Sequence, residues 1–349
     1  MNRRLTTGIL LNALLLAACS GGASSGGQGG TGGASSGSGG AAATTSGGGV
    51  TTTTSGAGGA ASCSACVTLL SLEPGSQPLG LFVDEQHLYW TQFGTGQVMQ
   101  AALDGSGAVT IASGEQSPVA VQAAGGFVYW VSYAATGVAR RAPIGGGTVA
   151  DLAPAAGARE LFVGDEHVWW TGEPDDLWRA PIAGLPQGKE PDLLSNNGLP
   201  NGLAVDAHSL YWVNRLDGAI KKADHVFGGE MVLATGDVPW DVAVDETSIY
   251  WTEQGSDQGT GAVRKASKLD GSSAVLLASE GSGPRGLAID AKSVYWANKE
   301  DGTIKAVPLG GGPVTVIAAG QDQPANVVVD ADFVYWTNFR GDTIVKIAK

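Results

Sequence analysis

Histidine, cysteine and charge are all scarce in this sequence, and each shortage excludes a class of function. Four histidines among 349 residues leave few groups that titrate near neutrality, which limits acid–base and metal chemistry. Three cysteines cannot build a disulfide scaffold or a four-cysteine zinc site. Lysine and arginine number 20 against 33 acidic residues, a net charge of −13. Losing Arg3 and Arg4 with a leader leaves 18 against 33, or −15. Such a chain repels phosphate backbones, so nucleic acid is not an expected partner. Neither a Gly-x-Ser-x-Gly nucleophile turn nor a phosphate loop occurs.

What is present begins with an address. Arg3 and Arg4 precede the apolar run Gly8-Ile9-Leu10-Leu11-Asn12-Ala13-Leu14-Leu15-Leu16, too short to span a bilayer as a mature helix. The segment Leu16-Ala17-Ala18-Cys19 resembles the lipobox of bacterial lipoproteins. That resemblance implies a signal peptide over residues 1–18, cleavage before Cys19, and lipid on the Cys19 sulfur and amine. An acylated terminus is a stable membrane anchor. Ser20 rather than aspartate after it points, by the same analogy, to the outer membrane or surface of a Gram-negative bacterium. Residues 20–62 are Gly, Ser, Thr and Ala except for Gln28 and Val50. With so little to bury, this stretch is expected to be a disordered tether, spanning about 35 Å as a coil. Cys63 and Cys66 follow as Cys-Ser-Ala-Cys. An exported protein is expected to pair them at the neck of the next domain. A redox role needs a strand–helix setting, whereas this pair precedes a strand-like run.

Residues 63–349 repeat one pattern seven times. Tyr89-Trp90, Tyr129-Trp130, Trp169-Trp170, Tyr211-Trp212, Tyr250-Trp251, Tyr295-Trp296 and Tyr335-Trp336 are its anchors, with the second tryptophans 40, 40, 42, 39, 45 and 40 residues apart. Twelve residues before them stand Pro78, Pro118, Pro200, Pro239, Pro284 and Pro324, with Ala158 in the third unit. Six before them stand Asp84, Asp206, Asp245, Asp290 and Asp330. Each unit reads as four short strands, A to D, joined by Asp and Gly turns. No segment keeps a helical period. Four strands per unit of this length define a β-propeller blade. Adjacent Tyr and Trp in strand B face opposite sides of the blade, so both pack on neighbours. The last unit lacks a strand D, and Val67-Thr68-Leu69-Leu70-Ser71 looks like a D strand without A, B and C. The expected fold is therefore all-β: a seven-bladed propeller, closed by pairing that N-terminal strand with Thr343-Ile344-Val345-Lys346-Ile347.

These repeats resemble the YWTD repeats of lipoprotein-receptor propellers and the TolB-like and NHL-type bacterial propellers. The aspartate of YWTD is absent: Gln92 follows Tyr89-Trp90-Thr91, and Asn338 follows Tyr335-Trp336-Thr337. The receptor propellers also have six blades with flanking cysteine-rich modules, so receptor function is not carried over.

By analogy with other propellers, the D-to-A and B-to-C loops form the functional mouth. The two positions after the proline slot, and the second and third after the tryptophan, supply the candidate ligand-binding residues. They are Arg159, Glu160, Asn201, Asn214, Arg215, Trp240, Asp241, Glu253, Arg285, Asn298, Lys299, Asn326 and Asn338. Trp240 lies outside the Tyr-Trp slots and is the expected stacking residue. A solvated polar rim without a dedicated ligand is the alternative. His87, His167 and His208 fall in A-to-B turns on the opposite face and His225 in a C-to-D turn, so no catalytic residue is assigned. Streptogramin-lyase propellers rely on a mouth histidine that this sequence lacks. Lactonase-type propellers hold a metal with Glu, Asp and Asn, and Glu160, Asn201, Asp241, Asn298 and Asn326 imitate that set, which would suit a divalent cation. The recurrent cations Arg140, Arg179, Lys221, Arg264, Lys305 and Lys346 in strand C mark scaffold. The leading expectation is a membrane-tethered, non-enzymatic binding module for a protein, peptide or glycan. A metal-dependent hydrolase and a structural envelope protein are the alternatives.

Overall fold

A computed structural model describes residues 63–349 except 174–175, 197, 226–228, 258 and 281–282. The leader, Cys19 and the tether lie outside the described residues. The chain forms seven four-stranded antiparallel sheets. In each sheet the strands run in order, and the A strands of successive blades touch in a cycle that returns from the seventh blade to the first. Strand A is thus the inner edge of every blade, surrounding a central channel, and D is the outer edge. The seventh blade takes its outer strand from the other end of the chain. There β1 (Val67–Ser71) pairs antiparallel with β28 (Thr343–Ala348), Val67 opposite Lys346 and Ser71 opposite Thr343. Cys63 and Cys66 are disulfide-bonded just before β1 and pack against the cluster containing Trp336.

The core lies between blades, and the Tyr-Trp pair builds it. Tyr89 of the first blade shares a cluster with Trp130 of the second, Tyr129 with Trp170, and Trp169 with Trp212. Tyr211 packs with Trp251, Tyr250 with Trp296, Tyr295 with Trp336, and Tyr335 with Trp90 of the first blade. The seven second-position tryptophans are all fully buried. Strand alternation is the cause: neighbouring side chains on strand B face opposite sides, so each blade offers a Tyr (Trp169 in the third) forward and a Trp backward.

The recurrent aspartate closes the A–B turn. Asp84 accepts the backbone N–H groups of Gln86 and His87 and the hydroxyl of Tyr89 at 2.8 Å. Asp206, Asp245, Asp290 and Asp330 do the same for Tyr211, Tyr250, Tyr295 and Tyr335. The third blade has Trp169 in place of Tyr and Gly164 in place of Asp. A Cβ at Gly164 would lie 2.7 Å from the Trp169 ring, so the two substitutions belong together.

Cations in strand C serve the scaffold in two ways. Lys305 pairs with buried Glu280, Lys221 with Glu230, Arg264 with Glu253, and Arg140 with Glu115 and Asp151. Arg179 and Lys346 reach the next blade, donating to the carbonyls of His225 and Leu103. The histidines His87, His167 and His208 stand at the A–B turns, at the opposite end of strands A and B from the D–A and B–C loops.

Candidate functional site

One local device sets the D–A and B–C loops. The residue before the proline slot takes a left-handed conformation in every blade: Gln77, Ser117, Gly157, Leu199, Val238, Gly283 and Gln323, with φ between 51° and 63°. In all but the sixth blade its carbonyl is seen to accept the N–H of the third residue after the tryptophan, as in Arg215 to Leu199 and Gln254 to Val238, both 3.0 Å. Strand A starts with a bulge in six blades, between Pro78 and Leu81 in the first and Pro239 and Val242 in the fifth. A bulge adds residues that the partner strand does not match and re-aims them. Here it presents the two residues after the proline at the channel edge.

Nine of the candidate residues stand there, partly accessible: Arg159, Glu160, Asn201, Arg215, Trp240, Asp241, Arg285, Lys299 and Asn326. The other four are buried inside their blades. Asn298 donates to Glu280 at 2.7 Å, and Asn338 to Gln321 at 2.9 Å and Thr343 at 3.0 Å. Glu253 accepts from the Trp251 indole at 2.8 Å and pairs with Arg264. Asn214 contacts Asp217. These four second-after-tryptophan residues fasten the ends of strands B and C. Their burial was legible in the pattern, because a residue two after Trp shares its face of the strand.

The accessible set has a distinct chemistry. Trp240 in the fifth blade is flanked by guanidiniums from both neighbouring blades, Arg215 at 4.3 Å and Arg285 at 4.0 Å from the ring centroid. The indole therefore holds two cations, rather than standing free to stack on a ligand. Burial and the charge of Arg159 push Arg215 below the usual guanidinium range. Burial and Arg215 do the same to Arg285. Lys299 is held down by burial, Arg285 and Arg340. Among the described residues, Arg215, Arg285, Lys299 and Arg340 make no ion pair, and the buried Nε atoms of Arg215 and Arg285 have no hydrogen-bond partner. Arg159 differs: it pairs with Glu173, which also accepts the Tyr133 hydroxyl at 2.7 Å beside a cleft of about 400 Å³. Phe93 and Phe339 meet on the first and seventh blades, with centroids 6.0 Å apart.

Deeper in the channel are two carboxyls. Burial pushes Glu160 up to about 8, with the charge of Asp241 adding to it, and burial pushes Asp241 up to about 6. Asp241 accepts the backbone N–H of Leu287 in the next blade at 2.8 Å and its neighbour Val242 at 2.8 Å. Asn201 donates to the Trp240 carbonyl at 2.7 Å. Among the described residues, no group of three or more His, Cys, Asp and Glu side chains is arranged to hold a metal ion.

This architecture defines the class of the chain: a seven-bladed β-propeller. Virginiamycin B lyase from Staphylococcus aureus superposes with a TM-score of 0.68 at 13% identity, covering 80% of this chain and 98% of that one. A chain of the nidogen/laminin complex gives 0.51 at 22% identity, covering 64% and 89%. Both likenesses concern the fold. In sequence, Protein cueball of Drosophila grimshawi is 30% identical over 129 residues, a match covering 34% of this chain and 20% of cueball. No protein-family model matches.

Proposed function

We propose that this chain is a membrane-anchored, extracytoplasmic propeller whose channel mouth binds a protein, peptide or glycan partner. One observation carries the reading: the Arg215–Trp240–Arg285 stack holds two guanidiniums on one indole with neither in an ion pair among the described residues, and only the charge of Glu300, beyond contact, opposes the repulsion at Arg285. Like charges held together in partly buried positions cost stability, which is the usual signature of a site kept for binding. The lipobox at Cys19 and the Gly/Ser tether support an anchored domain free to face partners. Fold likeness supports either binding or catalysis in general, since the nidogen/laminin structure is of a complex and the virginiamycin B structure is of a lyase. The mouth chemistry favours binding.

The test uses the full chain in cells, with a photo-cross-linking residue at Lys299 on the mouth or at His208 on the opposite face. The reading expects a discrete cross-linked species from position 299 alone, and the protein in the membrane fraction unless Cys19→Ala releases it. Equal cross-linking from both faces would remove the mouth as the partner site. Membrane retention of the Cys19→Ala chain would remove the lipid anchor.

A further inference from the structure

The protein is acidic overall, yet cations from blades three, four, six and seven stand at its mouth. Arg215, Arg285, Lys299 and Arg340 make no ion pair among the described residues. Burial depresses three of them, with Arg159 adding to it at Arg215, Arg215 at Arg285, and Arg285 and Arg340 at Lys299, while Glu300 partly offsets it at Arg285 and Lys299. Arg159 is already neutralised by Glu173. The far arc of the mouth is apolar, with Phe93, Phe339 and Leu79 partly accessible.

We propose that the mouth takes an acidic peptide segment, with two or more carboxylates on Arg215, Arg285 and Lys299 and an apolar side chain against Phe93 and Phe339. This rests on the reading of the mouth as the partner site. A guanidinium fork matches a carboxylate with two parallel N–H donors, and Arg215 and Arg285 are partly accessible residues at the mouth. More than one carboxylate is required because one anion leaves the remaining cations repelling each other. An acidic glycan fits less well. Sugars stack on open aromatic faces, whereas Trp240 has a guanidinium from each neighbouring blade, and Phe93 and Phe339 offer apolar rather than hydroxyl-matching surface.

The test is fluorescence anisotropy on the full chain in detergent micelles, with a labelled octapeptide of alternating glutamate and leucine. Controls are its glutamine counterpart and a galacturonate tetramer. The acidic peptide is expected to bind at least about tenfold more tightly than the glutamine peptide at low salt, the difference shrinking in about 0.5 M salt. Arg215→Gln with Arg285→Gln is expected to weaken it by at least about tenfold. Lys299→Gln, at the partly open rim, gives a second reading of a few-fold loss if the double variant does not fold. Equal binding of the glutamine peptide, unchanged affinity in these variants, or binding of the tetramer alone would overturn the proposal. Any of these with cross-linking from position 299 retained removes only the acidic-peptide assignment. Loss of that cross-linking removes the site itself.

Discussion

The hydroxyl of Thr337, in the last blade, donates to the carbonyl of Leu79, in the first, over 3.0 Å. The same oxygen accepts the N–H of Asn326 at 3.3 Å. Thr171 and Thr252 repeat this double bond, donating at 2.8 Å to the carbonyls of Asn201 and Arg285. Thr91 donates to Val119 at 3.3 Å. The threonine after Tyr-Trp thus ties its blade to the inner strand of the next one, at the residue after the proline slot. In blades two, four and six that position is Val131, Val213 and Ala297. A contact that builds the ring therefore also places the backbone of two mouth residues, Asn201 and Arg285.

Thr252→Val keeps the shape found in blades two and four but leaves the N–H of Asp241 and the carbonyl of Arg285 short of a partner. The expected cost is about 1–2 kcal/mol in urea unfolding. An unchanged unfolding midpoint would show that the hydroxyl adds nothing beyond its volume.

Deleting residues 67–71 would expose β28 as an unpaired edge. The chain is expected to melt earlier and to associate as concentration rises, since exposed edges template further pairing. Sedimentation and thermal melting read both effects. A monomer with an unchanged melting temperature would show that β1 is not needed to close the ring.

Glu160 gives the protein a specific pH dependence. Its carboxyl titrates near 8 in the fold and near 4.3 in an unfolded chain. The folded state therefore keeps a proton that the unfolded state releases. The contribution is fully present below about pH 4.3 and is lost as pH rises through 8. Asp241, near 6, acts in the same direction over a narrower window. Glu160→Gln is expected to match the parent near pH 4 and to exceed it by about 1–2 kcal/mol above pH 8, the gain being limited by channel water. A gain that is the same at both pH values would contradict this.

Much of the ring was legible in the sequence because its contacts are periodic. The Tyr-Trp anchors, the proline slots and Asp84 with its counterparts recur in register, and each marks a strand or a turn. The mouth was legible only as a location. Trp240 is flanked by Arg215 and Arg285 because blades four, five and six are adjacent in the ring, and no local pattern in the sequence states that pairing. Asn214, Glu253, Asn298 and Asn338 looked like mouth residues because they vary between repeats. They vary because each is matched to a different partner, Asp217, Arg264, Glu280 and Gln321.

Val238 is a β-branched residue at φ 52°, directly before Pro239. Both its branching and the following proline disfavour that conformation, while blades three and six use Gly157 and Gly283 there. Val238→Gly is expected to hold or raise stability by up to about 1 kcal/mol, the relief of strain exceeding the added chain entropy. A loss above that size in thermal unfolding would mean that the valine side chain contributes packing that outweighs its strain.

The proposed reading separates the mouth cations, which serve a ligand, from the strand C cations, which serve the fold. It is tested most directly by comparing the unfolding free energies of Lys305→Gln and Arg285→Gln. Lys305 neutralises Glu280, which is 3% exposed, so its loss strands a buried charge and is expected to cost about 3 kcal/mol or more. Arg285 makes no ion pair among the described residues, is held down by burial and repelled by Arg215, and is only partly offset by Glu300. Relief of that repulsion offsets the lost contact with Trp240, and Arg285→Gln is expected to stay within about 1 kcal/mol of the parent. An equal loss in both variants would make Arg285 part of the scaffold and contradict the account.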